Sequence, residues 1–276
     1  MSWLLQDAFG RALVEAVAVG MLTGLVGVHV VLRRLSFFTM TMAHATFPGV
    51  VAASILGFNI YLGGVVAGLL TAAAVTALMR TRGQEATAAT GVILSAGFAL
   101  GVALVATQNG FSRDLSAFLV GSILTVTTEN LIVIVALLAL TATTLAVGGR
   151  HLLYAGFDPA GAHAAGYRVR LLDLALLLLV DLVVVAIVPA VGTILALALI
   201  VAPAAAARAW TDRLVPMTAL AATLGAGSAA AGLWFSRLWD VAAGGSISLT
   251  AAAVLLVSLA VHRLRDGFRT IFLTAS

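Results

Sequence analysis

The stretch LLDLALLLLVDLVVVAIVPAVGTILALALIVAPAAAAR, Leu171 to Arg208, decides the fold. It holds two apolar segments, 171–190 and 192–207, separated around a single glycine, Gly192. Segments of this kind approach the roughly 20 apolar residues that a helix needs to cross a hydrocarbon core about 30 Å thick. One carboxylate, Asp181, lies well inside the first segment with apolar residues on both sides. An ionisable group within a membrane span is a candidate functional group, because lipid makes an idle charge expensive.

The same pattern recurs outward in both directions. Spans are predicted at 12–32, 43–61, 62–79, 88–107, 129–148, 171–190, 192–207, 214–236 and 246–262, and a shorter apolar segment, Leu115 to Val126, reads as interfacial or re-entrant. Composition agrees: of 276 residues 62% are hydrophobic and 9% charged, with a mean hydropathy of +1.14. A soluble chain carries about a quarter charged residues, so lipid has to be the solvent here. The expected fold is all-α, a polytopic membrane protein of about eight to nine transmembrane helices, with residues 1–276 forming one domain joined by short loops. There is no cysteine, which excludes disulfides, thiolate metal sites and cysteine nucleophiles. The first residues carry neither a basic n-region nor a small-residue cleavage site, so no cleaved signal peptide is expected.

All 15 basic residues are arginines. With the C-terminus in the cytoplasm, Arg33, Arg34, Arg80, Arg82, Arg150, Arg168, Arg170, Arg208, Arg213, Arg263, Arg265 and Arg269 face inward, and only Arg11, Arg113 and Arg237 face outward. This follows the positive-inside rule. The basic balance is therefore topology, and no nucleic-acid partner is expected. Gly20, Gly24 and Gly27 share one face of the first span, where small residues let helices approach in lipid. On the cytoplasmic side, Gly148 to Arg170 (GGRHLLYAGFDPAGAHAAGYRVR) carries helix signals: Phe157-Asp158-Pro159 supplies an N-cap and an N1 proline, and Gly166 a stop. A short helix is predicted over 159–165.

No Walker loop, G-x-S-x-G or H-E-x-x-H is present, and the histidines His29, His44, His151, His163 and His262 are scattered. Nothing points to catalysis; transport, a channel or a scaffold remain. Among the polar groups, His44 begins the second predicted span, and Met40 shares its face if that helix starts early. Imidazole is a common ligand for zinc and other divalent ions and a thioether a soft, weak one. Asp173 lies about 12 Å from Asp181 by helical rise and is expected to meet Arg170 or headgroup water. Glu15 is expected near the outer surface, with Arg11 one turn back as its partner. His151, His163 and His262 are expected to be solvated.

Four stretches, taken in order, resemble the permease subunits of binding-protein-dependent ABC importers for zinc and manganese, the metal-type branch related to the vitamin B12 permeases. VVLRRLSFFTMTMAHATFPGV is similar to that family's arginine pair and His segment ending in Pro-Gly; DLSAFLVGSIL (114–124) to its Leu-Phe-Gly-Ser segment; FDPAGAHAAGY (157–167) to its coupling helix; and VGTILALALIVAPAAAA (191–207) to its Val-Gly and Pro-Ala-Ala hairpin. The resemblance spans nearly the whole chain. It implies a type II permease in a bacterial plasma membrane, itself without ATPase motifs and with no tightly bound cofactor. It implies a second copy of the chain, two ATPase subunits that bind ATP and dock at the coupling helix (region 154–168: Phe157, Asp158, Pro159, Gly166), and an extracytoplasmic metal-binding protein. It implies a divalent cargo, zinc favoured and manganese next, with His44 on the path. The family's His segment usually reads Gly-Asp-Ala-Leu-Ser-His; here Met40 stands where the acid would be. A soft sulfur in place of a hard oxygen disfavours manganese more than zinc, and Asp181 is the expected source of the missing negative charge. The rivals are a same-fold permease for a metal chelate or other organic cargo, and a secondary transporter driven by protons through Asp181.

Overall fold

The computed structural model describes residues 8–79, 86–107, 121, 123 and 127–274. These form helices α1 (Ala8–Leu32), α2 (Ser36–Ala45), α3 (Phe47–Leu56), α4 (Ile60–Met79), α5 (Ala86–Ala106), α6 (Thr128–Phe157), α7 (Pro159–Ala164), α8 (Val169–Val191), α9 (Thr193–Arg208), α10 (Leu214–Trp239) and α11 (Ala243–Thr274). Six helical stretches among the described residues are long and apolar enough to cross a membrane, and Ile60–Val75, Thr90–Ala106 and Ala196–Arg208 are shorter apolar helices. Together they correspond to the nine predicted spans. The segment 115–126 lies outside the described residues except for Gly121 and Ile123, and Gly121 packs against the α8–α9 turn at Gly192.

Two ends of the bundle are defined by polar contacts. At one end Arg33, just past α1, pairs with Asp173 in the first turns of α8, and its guanidinium stem lies against Gly156 near the end of α6. The pairing of Asp173 with Arg33 in place of Arg170 corrects the expectation: Arg33 comes from a different helix end and reaches across. At the other end the Tyr61 hydroxyl donates to Asn130 Oδ1 at 2.8 Å, tying the start of α4 to the start of α6, and Arg237 lies over the Phe9 ring at 4.3 Å. Arg11 and Arg237 thus share one end, and Arg33, Arg150, Arg168 and Arg170 the other.

The core is built on α1. Leu22, Val26 and Val30 are buried together with Val180, Val184, Ile187 and Ile200 of α8 and α9. The small face is used as expected: a Cβ on Gly20 would overlap the Gly225 carbonyl, one on Gly24 the Ala221 carbonyl, and one on Gly27 the Ile200 carbonyl. Backbones therefore meet directly on α10 and α9, the contact through which helices associate where hydrophobic drive is weak. Helix α6 has 30 residues and by rise is about 45 Å long, so it runs past the predicted 148 boundary to Phe157. Helix hydrogen bonds are satisfied within the segment and do not end where apolar residues do.

Glu15 departs from its expectation. It is 1% exposed, its Oε2 has no hydrogen-bond partner, and no ion pair joins it to Arg11.

Candidate functional site

Residues 36–56 form one 21-residue candidate span interrupted in the middle. The cause is Pro48. Its missing N–H denies the His44 carbonyl the usual i→i−4 donor, and its ring crowds the same carbonyl. The chain therefore stops at Ala45 and restarts at Phe47, with Pro48 in the first turn of α3. Thr46 between them keeps nearly helical angles (φ −75°, ψ −19°), so the break is a local step and the span continues. His44 thus sits at a mid-span discontinuity. This corrects the reading of His44 as the first residue of its span: the helix begins at Ser36. The threonines that make 36–45 look polar are internally satisfied, Thr39 Oγ1 donating to the Leu35 carbonyl at 3.0 Å and Thr41 Oγ1 to the Phe37 carbonyl at 3.1 Å.

The early start places Met40 one turn before His44 on the same face; both side chains are half-buried. The His44 ring meets Phe98 of α5 edge-on, centroids 5.4 Å apart and planes at 84°. Phe98 in turn stacks on Phe47, 6.0 Å away. Helix α5 can come this close because Gly97 lies against Ala45 and Gly101 against the Phe47 ring; a Cβ at either would collide. The imidazole Nδ1 is buried with no hydrogen-bond partner. A satisfied structural histidine normally bonds a carbonyl or carboxylate through one nitrogen, so this ring is held by aromatic packing with its polar capacity unspent.

Asp181 is 3% exposed, and neither carboxylate oxygen has a partner. Its carboxyl group occupies the space that a Cβ on Gly68 of α4 would fill. One turn further on, Val185 covers Gly64 of the same helix. Asp181 therefore faces α4, while His44 faces α5, and no hydrogen bond or ion pair joins them. Among the described residues no group of three His, Cys, Asp or Glu side chains is assembled to hold a metal ion. A single chain thus presents His44 and Met40 on one face of α2, and Asp181 from α8 against α4.

The helix predicted at 159–165 is found at Pro159–Ala164. Asp158 caps it, its Oδ1 accepting from the Gly161 N–H at 2.8 Å, and Gly166 stops it in the left-handed region at φ 86°. Tyr167 just beyond packs its ring against His151 (5.0 Å) and Tyr154 (6.3 Å) of α6. His151 is exposed but carries this ring contact, and Phe157, at the end of α6, is 65% exposed. The segment is thus held to the bundle through Tyr167, and the end of α6 just before it presents the exposed Phe157 ring.

Sequence reading missed Phe98, Phe47, Gly97 and Gly101. The pair of glycines four residues apart in α5 was the available signal.

The family model described as "ABC 3 transport family" matches residues 6–262. The manganese transport system membrane protein MntC of Halalkalibacterium halodurans is 35% identical over 248 residues, covering 90% of this chain and 85% of its own length. The zinc transport system membrane protein TroC of Treponema pallidum is 31% identical over 250 residues, covering 87% and 84%. Among solved structures, that of PsaBC from Streptococcus pneumoniae in complex with Fab is similar with a TM-score of 0.86 and 34% identity, covering 92% of each chain.

Proposed function

The chain belongs to the ABC 3 transport family, and from that premise we propose that it is the membrane-spanning permease of an ABC importer whose cargo is a divalent transition metal, manganese or zinc. ATP is hydrolysed on separate subunits; this subunit supplies the path. The observation that carries the reading is the broken span. It holds a histidine with an unspent nitrogen, one turn from a thioether, at the step that Pro48 forces in the membrane. Relatives named for manganese and for zinc both match over most of the chain.

The donor chemistry on α2 supports a reading with zinc ahead of manganese. Imidazole and thioether are softer than a carboxylate, and manganese prefers oxygen. A transport site has to release its ion, so a sparse donor set suits it better than a closed four-ligand cage. Two copies of the chain around an axis bring two His44–Met40 pairs to one path, and Asp181 supplies negative charge from α8. The arginine-rich end that carries α7 faces the cytoplasm of a bacterial cell. There two ATPase subunits grip Phe157 and the capped turn Asp158-Pro159 through Gly166, and an extracytoplasmic binding protein delivers the ion at the opposite end.

The test is uptake into proteoliposomes holding this chain, its ATPase and its binding protein, with zinc, manganese and iron compared, with and without ATP. ATP-dependent uptake that falls at least tenfold in His44→Ala supports the site, and zinc outcompeting manganese supports the donor argument. Uptake unchanged in His44→Ala reduces the imidazole to packing. ATPase turnover with no metal movement would move the cargo to a chelate or another organic molecule.

A further inference from the structure

Away from the α2–α3 step, a groove of about 610 Å³ opens between α1, α6 and α10. It lies at the α7 end of the bundle, since it is lined by the last turn of α1, the second half of α6 and the first residues of α10. Its polar side chains are His29, Arg150 and His151, with the Thr218 hydroxyl, which donates to the Leu214 carbonyl at 2.8 Å. No aspartate or glutamate lines it, and Arg150 makes no ion pair with a described residue. His29 is 1% exposed, and its Nδ1 has no hydrogen-bond partner. Gly149 of α6 lies beside it, its Cβ position 3.6 Å from Nε2, an ordinary van der Waals distance.

The rest of the lining is greasy, with Leu25, Leu145 and Leu214 among it. Val147 and Val215 at its rim are among the most exposed large apolar side chains of the molecule. The groove therefore opens sideways onto the apolar surface that hydrocarbon covers, with the Arg150 guanidinium and two imidazoles at the level where helices reach the headgroups. A basic head and apolar flanks at one helix junction complement a molecule with an anionic head and two acyl chains. A free anion would use the first feature and leave the second without purpose.

We propose that this groove binds one anionic phospholipid of the leaflet on the α7 side, its phosphate held by Arg150 and His151 over His29 and its chains lying along Leu25, Leu145 and Leu214. The site stands on the membrane-spanning fold and is independent of the cargo. It adjoins the α7 segment, because the His151 ring also packs on Tyr167. A lipid seated there steadies the α6–α7 junction by mass action, as any ligand of the folded state does.

The experiment uses the purified full-length chain in detergent, titrated with dioleoyl phosphatidylglycerol, dioleoyl phosphatidylcholine or inorganic phosphate. Retained lipid is read by native mass spectrometry, and the melting midpoint is read alongside. The expected result is selective retention of phosphatidylglycerol with a raised midpoint. Arg150→Gln weakens that retention about fivefold, Arg150→Gln with His151→Gln weakens it further, and Arg150→Lys leaves it within twofold. Both positions are exposed, and the lysine variant separates lost charge from lost fold. Equal retention of both lipids would overturn the proposal, as would undiminished phosphatidylglycerol binding in the double variant. Stabilisation by inorganic phosphate equal to that by the lipid would also overturn it, and would leave a simple anion site.

Discussion

An aspartate with both oxygens buried and unpartnered costs the fold free energy, because a polar group taken from water without a new hydrogen bond forfeits about 1–3 kcal/mol, more when charged. Asp181 is in that position against Gly68. Asp181→Asn removes the prospect of a buried charge at nearly constant volume. It is expected to raise the melting midpoint by about 2–4 °C for each kcal/mol recovered and to cut metal uptake severalfold. Thermal melts and proteoliposome uptake check the two halves separately, and wild-type uptake in this variant would remove Asp181 from the path. Gly68→Ala is the complement: the added methyl takes the carboxyl group's place and is expected to cost about 1–3 kcal/mol. His44, Met40 and Asp181 were legible in the sequence because an ionisable or soft group stands out in an apolar run. Phe47 and Phe98 were not. An aromatic inside an apolar span has no local contrast, and which of twelve phenylalanines meets the histidine is set by packing between helices far apart in sequence.

Helix α7 was read nearly to the residue, because Asp158, Pro159 and Gly166 act through local backbone chemistry that a linear sequence displays. The second span was misplaced for the opposite reason. The helix begins at Ser36 and not at 43, and its Thr39 and Thr41 hydroxyls bond back to their own helix and carry little polarity into the lipid. Pro48, which ends the His segment, interrupts the span. Pro48→Ala restores a donor for the His44 carbonyl. It is expected to join α2 and α3 into one continuous helix, leave the midpoint unchanged or higher, and lower uptake severalfold. Amide exchange across 46–50 would report the straightening, and wild-type uptake in a straightened span would break the link between step and function. The α1–α10 contact gives a sharper prediction within one helix. At Gly225 a Cβ would overlap the Gly20 carbonyl, whereas at Gly227 it meets nothing within 4 Å. Gly225→Ala is expected to lose about 1–3 kcal/mol or more, and Gly227→Ala to gain about 0.5–1 kcal/mol from helix propensity. Equal midpoints for the two variants would mean that the backbones do not meet there.

At the scale of the whole molecule, the nine apolar segments and their alternation were legible because every span must satisfy its own backbone in lipid. The polar tie at the α7 end was not, since it depends on a pair 140 positions apart. Arg33 follows the helix that carries the core and precedes the one that carries His44, while Asp173 opens the helix that carries Asp181. The same arginine lies on Gly156, two residues before the cap of α7. Alongside the direct packing of α7 on α6 and α8, this ion pair, with a mostly buried arginine and an aspartate partly open to solvent, links the α7 end to the start of α2. Asp173 is partly open to solvent and asparagine keeps an oxygen that accepts from the Arg33 guanidinium, so Asp173→Asn is expected to fold with a midpoint close to wild type. Its defect appears in coupling: with the ATPase and binding protein present, ATP hydrolysis persists while metal moved per ATP falls severalfold. Arg33→Asp alone should share the defect, and Arg33→Asp with Asp173→Arg should recover part of it, because the reversed pair restores the link without restoring either residue. Measuring uptake and hydrolysis on the same proteoliposomes separates a broken link from a lost subunit. If all three variants kept the wild-type ratio, the drive would have to pass through the ring packing of Tyr167 on His151 and Tyr154 and not through the charge pair.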